Sequence, residues 1–304
     1  MRRLVVGTRA SKLSMAQTKI VTKLLSTRSK GLKIDTVTVR TLGDRLPPEK
    51  RGSVDGKTAF TGDIESMLIK GTVDIAVHSL KDLPSKMDER LVIAATPPRA
   101  DPRDVLVSKR RQKLFELPKG AKVGTSSLRR KAQLLRMRGD IEVVELHGNV
   151  ETRLRRMQDG LDGVILAAAG LERMSASGRI AQYFTIDEMV PAVGQAIIAV
   201  QSRKEDEEVK RILFRIEDPK ARVEATCERA FSQRLGGDCN VPVGAHAELS
   251  GESLSVVGMI ASPDGKKIIK KALSGRATEA DSLGDRLAKE LLDLGGERIL
   301  VSVK

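Results

Sequence analysis

Twice in its first two hundred residues the chain runs a short apolar stretch through a glycine–hydroxyl turn into a helical pattern. Residues 4–7 lead through Thr8-Arg9-Ala10-Ser11 to a helix over about 11–25, and residues 121–123 lead through Gly124-Thr125-Ser126-Ser127 to one over about 128–138. Short apolar runs alternating with helical periodicity specify an open α/β sheet, because parallel strands need crossover connections. Further strands are predicted at 34–39, 74–77, 91–95, 105–107, 141–146 and 163–166, with helices over 63–69 and 150–158. A second echo sets Gly71-Thr72-Val73-Asp74 against Gly160-Leu161-Asp162-Gly163, making the two rounds versions of one unit. Two such lobes imply a ligand cleft between facing helix N-termini, a bilobal binding-protein architecture.

Proline punctuates the pattern. Thr96-Pro97-Pro98-Arg99-Ala100-Asp101-Pro102 reads as a hinge, and Pro191-Ala192-Val193-Gly194-Gln195 is a second break. The glycine- and proline-containing stretch 42–57 has no periodicity and reads as a long mobile loop. The final third changes character. Helices over 205–216 and 221–235 precede a Gly236-Gly237 loop, then meander-like strands at 245–249, 254–260 and 267–273, a helix over 277–294 and a last strand at 299–303. The predicted division is 1–97 plus 197–216 as a first α/β lobe, 103–191 as a second, and 219–304 as a small α+β domain.

Hydrophobic residues at 40% and charged residues at 31% are the balance of a soluble globular chain. No apolar run reaches the ~18–20 residues a membrane span requires. The N-terminus turns polar at once, which places the protein in the cytoplasm. Two cysteines make no disulfide framework, and no Cys/His spacing resembles a metal site. The net charge of +14 is unevenly placed: residues 1–100 hold 19 basic and 10 acidic side chains, 101–195 hold 17 and 12, and 196–304 hold 18 of each. A solvated basic surface accounts for this as well as an anionic ligand does. Among anions, nucleic acid fits poorly. With no Trp, one Tyr and five Phe there is little for bases to stack on. A carboxylate or phosphate ligand fits better.

Three segments carry chemistry. Gly124-Thr125-Ser126-Ser127-Leu128-Arg129-Arg130 exposes N–H groups and hydroxyls at a helix start, an anion site. Arginines in a first turn oppose the helix dipole, so helix stability does not explain them, whereas a bidentate grip on carboxylates does. His78-Ser79-Leu80-Lys81-Asp82-Leu83-Pro84 follows a buried strand, at the carboxyl end of the sheet. There Ser79, Lys81 and Asp82 suit proton handling or stabilisation of a developing cation, or are an ordinary surface cluster. His78 reads as a satisfied strand-end histidine. Gly236-Gly237-Asp238-Cys239 hands a thiol to an exposed loop, as a nucleophile or attachment point, whereas Cys227 sits in a helical pattern as a small core residue.

Together with Asp101-Pro102-Arg103-Asp104, Gly148-Asn149-Val150 and Pro191-Ala192-Val193-Gly194-Gln195, these segments resemble the porphobilinogen deaminase (hydroxymethylbilane synthase) family, in order along essentially the whole chain. The resemblance implies two lobes of the periplasmic-binding-protein type II kind and a third domain carrying the cofactor cysteine. It implies a transferase that condenses four porphobilinogen molecules, with loss of ammonia, into a linear tetrapyrrole. The primer is a dipyrromethane cofactor linked through a thioether to Cys239. Asp82 matches the catalytic aspartate, with Lys81 beside it. By similarity the cofactor is held by Arg9, Ser11, Gln17, Ser79, Lys81, Asp82, Thr125, Ser126, Ser127, Arg129, Arg130, His147, Gly148 and Arg153. Substrate contacts fall to Arg9, Arg153 and Arg173, with Lys57 and Phe60 on the active-site loop. The partners implied are porphobilinogen and the growing polypyrrole, with no nucleic acid, membrane or metal, and a monomeric state.

The sequence departs from the family pattern in places. His147 stands where an arginine is usual, Lys12 where proline is common, and Asp238 and Ala196 where glycine is common. A non-catalytic bilobal module for a polycarboxylate ligand explains the lobes, but not a cysteine on a third-domain loop.

Overall fold

The computed structural model describes residues 3–45, 58–236 and 241–301. In chain order the elements begin with β1 (Arg3–Arg9), α1 (Lys12–Arg28), β2 (Lys33–Val39), α2 (Leu42–Arg45), α3 (Thr58–Ile69), β3 (Ile75–Ser79) and β4 (Leu91–Ala95). There follow β5 (Asp104–Ser108), β6 (Lys122–Gly124), α4 (Leu128–Met137), β7 (Glu142–Val144), α5 (Val150–Arg156), β8 (Gly163–Ala167), α6 (Ala168–Arg173) and β9 (Gln182–Tyr183). The rest are β10 (Ile198–Arg203), α7 (Glu207–Phe214), α8 (Pro219–Arg234), β11 (Val243–Ser250), β12 (Ser253–Ala261), β13 (Ile268–Arg276), α9 (Ala280–Leu291) and α10 (Glu297–Val301). The chain divides into two compact units, Met1–Ala100 with Ala196–Ala225 and Asp101–Gln195 with Thr226–Lys304.

The first unit is built on a sheet of order β2-β1-β3-β10-β4. The β1 strand is parallel to β2 and β3, while β10 is antiparallel to β3 and β4. Helices cover both faces, as the near-continuous apolar strands require. On one face Val21 and Leu25 of α1 and Val209 and Leu213 of α7 pack on Leu4, Val6, Val77 and Val200. On the other, Ile64 and Leu68 of α3 pack with Val73 and Ala76.

The second unit repeats the plan. Its order is β7-β6-β8-β5-β9, with β6 parallel to both neighbours and the fourth strand, β5, antiparallel to β8 and β9. One hydrogen-bond pattern shows that the two sheets are versions of each other. The Val5 N–H donates to Asp74 Oδ2 and the Asp74 N–H returns to the Val5 carbonyl, both at 2.8 Å. Lys122 and Asp162 repeat the pair at the same distances. Asp74 thus corresponds to Asp162, so the sequence echo that set Gly71 against Gly160 is out of register by one residue; the turn before β3 is one residue longer.

Also in this unit, β11, β12 and β13 form an antiparallel meander backed by α9, whose Leu283, Leu287 and Leu291 are buried. The strand expected at 299–303 is instead the helix α10. An apolar run this short reads either way. Here Ile299 and Leu300 are buried by helical turns, and the described sheet has no fourth strand for them to join. The stretch expected as a loop from residue 42 begins with a helical turn, because the Thr41 carbonyl accepts the N–H groups of Asp44 and Arg45 at 2.9 and 3.1 Å. Residues 46–57 lie outside the described residues. Ala196 has φ +73, the left-handed region that favours glycine.

Candidate active site

Two buried leucines present Asp82. Beyond β3 the chain makes one tight turn, Leu80–Asp82, whose Leu80 N–H donates to the Ile197 carbonyl at 2.9 Å. Leu80 and Leu83 sink among Ile93, Ile197 and Ala199, which leaves Asp82 facing solvent on a rigid mount. Gln17, buried on α1, donates from Nε2 to Ser79 Oγ at 2.8 Å and ties the end of β3 to the helix. Ser11 caps α1 by accepting the Ser14 N–H at 3.2 Å, and Lys12 is the first helical residue, where proline is favoured.

His78, expected to be satisfied, leaves one ring nitrogen without a partner. Its ring is buried and Nε2 has no hydrogen-bond partner among the described residues, as is true of Gln201 Oε1. Burial pushes the imidazole down to about 4; Asp82 and Gln201 oppose this, while Arg9 adds to it.

Arg9 is held within its own lobe. Its Nε donates to Asp44 Oδ2 at 3.2 Å, its Nη2 pairs with Asp44 Oδ1, and the Phe60 ring centroid lies 4.4 Å from Cζ. Burial raises the Asp44 carboxyl, but hydrogen bonding and charge from Arg9, with the Thr41 donors, outweigh it and hold the group below its ordinary value.

In the second unit, Ser127 caps α4 by accepting the Arg130 N–H at 3.4 Å, and Thr125 accepts the Ser127 N–H at 3.2 Å. The two arginines that follow turn inward. Arg129 Nη1 donates to Asp104 Oδ2 and to the Val190 carbonyl at 2.7 and 2.6 Å. Arg130 places Nε and Nη2 on Asp104 Oδ1 at 3.0 and 2.7 Å and Nη1 on the Ile165 carbonyl at 3.1 Å. Gln195 Nε2 completes the shell at 3.1 Å. The two guanidinium groups grip a carboxylate between them, one oxygen each, and that carboxylate is the chain's own. Burial raises the Asp104 carboxyl, yet the two guanidinium groups outweigh it and hold the carboxyl far below the usual range. Sequence reasoning assigned Asp104 no role; a lone carboxylate heading the apolar strand β5 was the signal.

Asn149 caps α5, and Arg153 on that helix donates from Nε to the Gly148 carbonyl at 2.9 Å and from Nη2 to Ser126 Oγ at 3.4 Å. Gly148 has φ +110, which only glycine adopts without strain, and a side chain there would strike Thr152. His147 Nε2 lies 2.9 Å from Glu145 Oε1, so its ring already faces a carboxylate of this chain. Arg173 ends α6; burial lowers its guanidinium to about 10, with Glu172 opposing. Cys227 is buried in α8 and its thiol is pushed up to about 12 by burial, with Glu228 and Asp281 adding to it. Lys57 and Cys239 lie outside the described residues. Among the described residues no helix is long and apolar enough to cross a membrane, and no group of three or more His, Cys, Asp or Glu is placed to hold a metal ion.

A family model described as "Porphobilinogen deaminase, dipyromethane cofactor binding domain" matches residues 4–211, and the C-terminal domain model of the same family matches 222–293. The curated porphobilinogen deaminase of Syntrophotalea carbinolica is 42% identical over 299 residues, covering 98% of this chain and 95% of the relative. That of Roseiflexus sp. strain RS-1 is 45% identical over 298 residues, 98% of each. The chain belongs to the porphobilinogen deaminase family. In a porphobilinogen deaminase the first matched region binds the dipyrromethane cofactor, and both strand-to-helix junctions, the Asp82 turn and the Asp104 clamp fall within it. Cys239 falls within the second matched region. A solved TRAP periplasmic solute binding protein from Desulfovibrio salexigens is 14% identical with a TM-score of 0.42, covering 71% of this chain and 72% of that one.

Proposed function

We propose that this enzyme condenses four porphobilinogen molecules head-to-tail, releasing one ammonia from each, on a dipyrromethane primer joined to Cys239 by a thioether, and frees the linear tetrapyrrole hydroxymethylbilane. The observation that carries the reading is Asp82: an exposed carboxylate on a rigid turn, at the carboxyl end of the sheet in the matched cofactor-binding region. The donor set in each lobe suits the primer. Capped helix starts and guanidinium groups match acetate and propionate carboxylates, and a fixed carboxylate matches pyrrole N–H groups.

When bound, the dipyrromethane supplies a nucleophilic pyrrole carbon that primes chain growth. Asp82 accepts pyrrole N–H bonds and stabilises positive charge as ammonia leaves, with Lys81 beside it as a proton donor. Ser11, Gln17 and Ser79 in one lobe, and Thr125, Ser126, Ser127, Arg129, His147, Gly148 and Arg153 in the other, hold the primer, while Arg130, expected to join them, has every guanidinium nitrogen engaged inside the fold and supports the set through Asp104. Arg9, Arg153 and Arg173, with Lys57 and Phe60, receive incoming units. The third sheet serves as the domain that carries Cys239. The protein works in the cytoplasm as a monomer, without nucleic acid, a reading supported by its low aromatic content.

Intact mass tests the assignment. Wild type should carry a two-pyrrole adduct, Cys239→Ala should lack it, and Cys227→Ala should retain it. Asp82→Asn should be loaded yet ~10²–10³-fold slower, the usual cost of one well-placed electrostatic group. An adduct on Cys239→Ala, or near-normal turnover by Asp82→Asn, overturns the corresponding role.

A further inference from the structure

The α2 turn does more than end a strand. Thr41, fully buried, donates its N–H and Oγ1 to Asp44 Oδ2 at 3.2 and 2.8 Å, fixing the Asp44 side chain. Asp63 on α3 fastens the turn from outside, accepting the Leu42 N–H at 2.7 Å and Arg45 Nη2 at 3.1 Å. Phe60 packs on the turn's backbone: a Cβ at Gly43 would lie 2.3 Å from its ring. Asp44 and Phe60 are thereby set together, and between them lies Arg9.

A guanidinium has two forks, Nε with Nη2 on its side and Nη1 with Nη2 at its end, each matching a carboxylate. Asp44 occupies the side fork and Phe60 lies against the guanidinium. Nη1 makes no hydrogen bond with a described residue, so the end fork is left for a second carboxylate. We propose that Asp44 is a positioning residue: it holds Arg9 by the side fork and aims the end fork at an acetate or propionate group of porphobilinogen or of the growing chain. This rests on the reading that Arg9 receives substrate carboxylates. The mount also tempers the grip. Arg9 paired with Asp44 carries no net charge, so it orients a carboxylate by geometry and releases it readily, as a site must that accepts one unit after another.

The test uses the cofactor-loaded protein, with kcat and KM for porphobilinogen and intact masses of pyrrole adducts after a brief exposure to subsaturating substrate. Asp44→Asn removes the charge and the bidentate match at nearly constant size. Restoring freedom to one long side chain should raise KM roughly 5–10-fold while kcat stays within about 2-fold. The fraction carrying an added unit should fall in step, and the primer mass should be unchanged. In an Arg9→Ala background, Asp44→Asn should raise KM no further, because the partner it positions is gone. Thr41→Val, which loosens Asp44 without touching Arg9, should move KM the same way by about 2-fold, and serves if Asp44→Asn fails to fold. An unchanged KM, or a rise that persists undiminished without Arg9, overturns the proposal while the function stands. A wild type that adds no pyrrole units overturns both.

Discussion

At the scale of single residues, the most exposed wager of this fold is a histidine shut away from water. His78 is the penultimate residue of β3, its Nε2 unpartnered among the described residues, one residue before Ser79 and four before Asp82. Burial lowers its pKa to about 4 from an ordinary 6.5; Asp82 and Gln201 pull it up and Arg9 pushes it further down. The sign follows from linkage. Between pH 6.5 and 4 the unfolded chain binds a proton at this position that the folded chain refuses, so folding stability falls as pH falls through that window. From pH 7 to 5 the loss attributable to His78 is about 2 kcal/mol at about 1.4 kcal/mol per pKa unit. Urea midpoints at both pH values for wild type and His78→Gln measure it. The wild type should lose about 2 kcal/mol more than the variant on acidification; equal losses would show that the imidazole titrates normally. The sequence made the placement of His78 legible, since a polar residue ending an apolar strand lies at the sheet's carboxyl edge. It did not make the missing partner legible, because that depends on the placement of Gln201, 123 residues away on β10, whose amide nitrogen goes to Glu65 while its Oε1 is itself left unpartnered among the described residues.

At the scale of elements, the junction between β6 and α4 was readable in kind but not in address. Glycine, two hydroxyls and two first-turn arginines announce a helix start built for a carboxylate. They do not say whose, and the nearest answer, Asp104, heads a strand 25 residues earlier in the chain. The geometry separates the two arginines. Every guanidinium nitrogen of Arg130 is engaged within the fold, whereas Arg129 binds through Nη1 alone, and its Nε and Nη2 make no hydrogen bond with a described residue. Arg130→Lys therefore leaves a buried carboxylate and a backbone carbonyl poorly matched and should cost about 2–4 kcal/mol in urea unfolding. Arg129→Lys keeps a cation beside Asp104 and should cost about 1–2 kcal/mol of stability, the scale of its two hydrogen bonds, yet lower the fraction of protein carrying the two-pyrrole adduct, as a primer carboxylate loses a planar donor pair. The same split in both variants would mean that the two side chains do one job. The α10 helix shows the opposite limit. Nothing local in 299–303 distinguishes strand from helix, so only the packing of Ile299 and Leu300 decides it.

At the scale of the whole molecule, charge was the most legible property and its purpose the least. The excess of +14 resides entirely in residues 1–195, the part of the chain that makes up most of the two α/β lobes. Part of that charge is spent inside the fold. Arg138 closes the loop before β6, and Arg129 and Arg130 share Asp104. The exposed remainder is screened within about 8–10 Å at ordinary ionic strength. If that remainder serves the reaction proposed above, its effect belongs to encounter and not to chemistry. A substrate bearing an acetate and a propionate is drawn toward a basic lobe before it meets any one side chain. Raising salt from 0.02 to 0.5 M should then lower kcat/KM for porphobilinogen by roughly 3–10-fold, toward the low end of the 10–10³ range known for steered encounters. Single-turnover formation of the first adduct at saturating substrate should change by less than about 2-fold, because the groups around Asp82 are fixed at short range. Neutral osmolyte at matched osmolality should leave both quantities alone. A kcat/KM that is flat in salt would assign the basic excess to solubility, and the capture of substrate to short-range groups such as Arg9 alone.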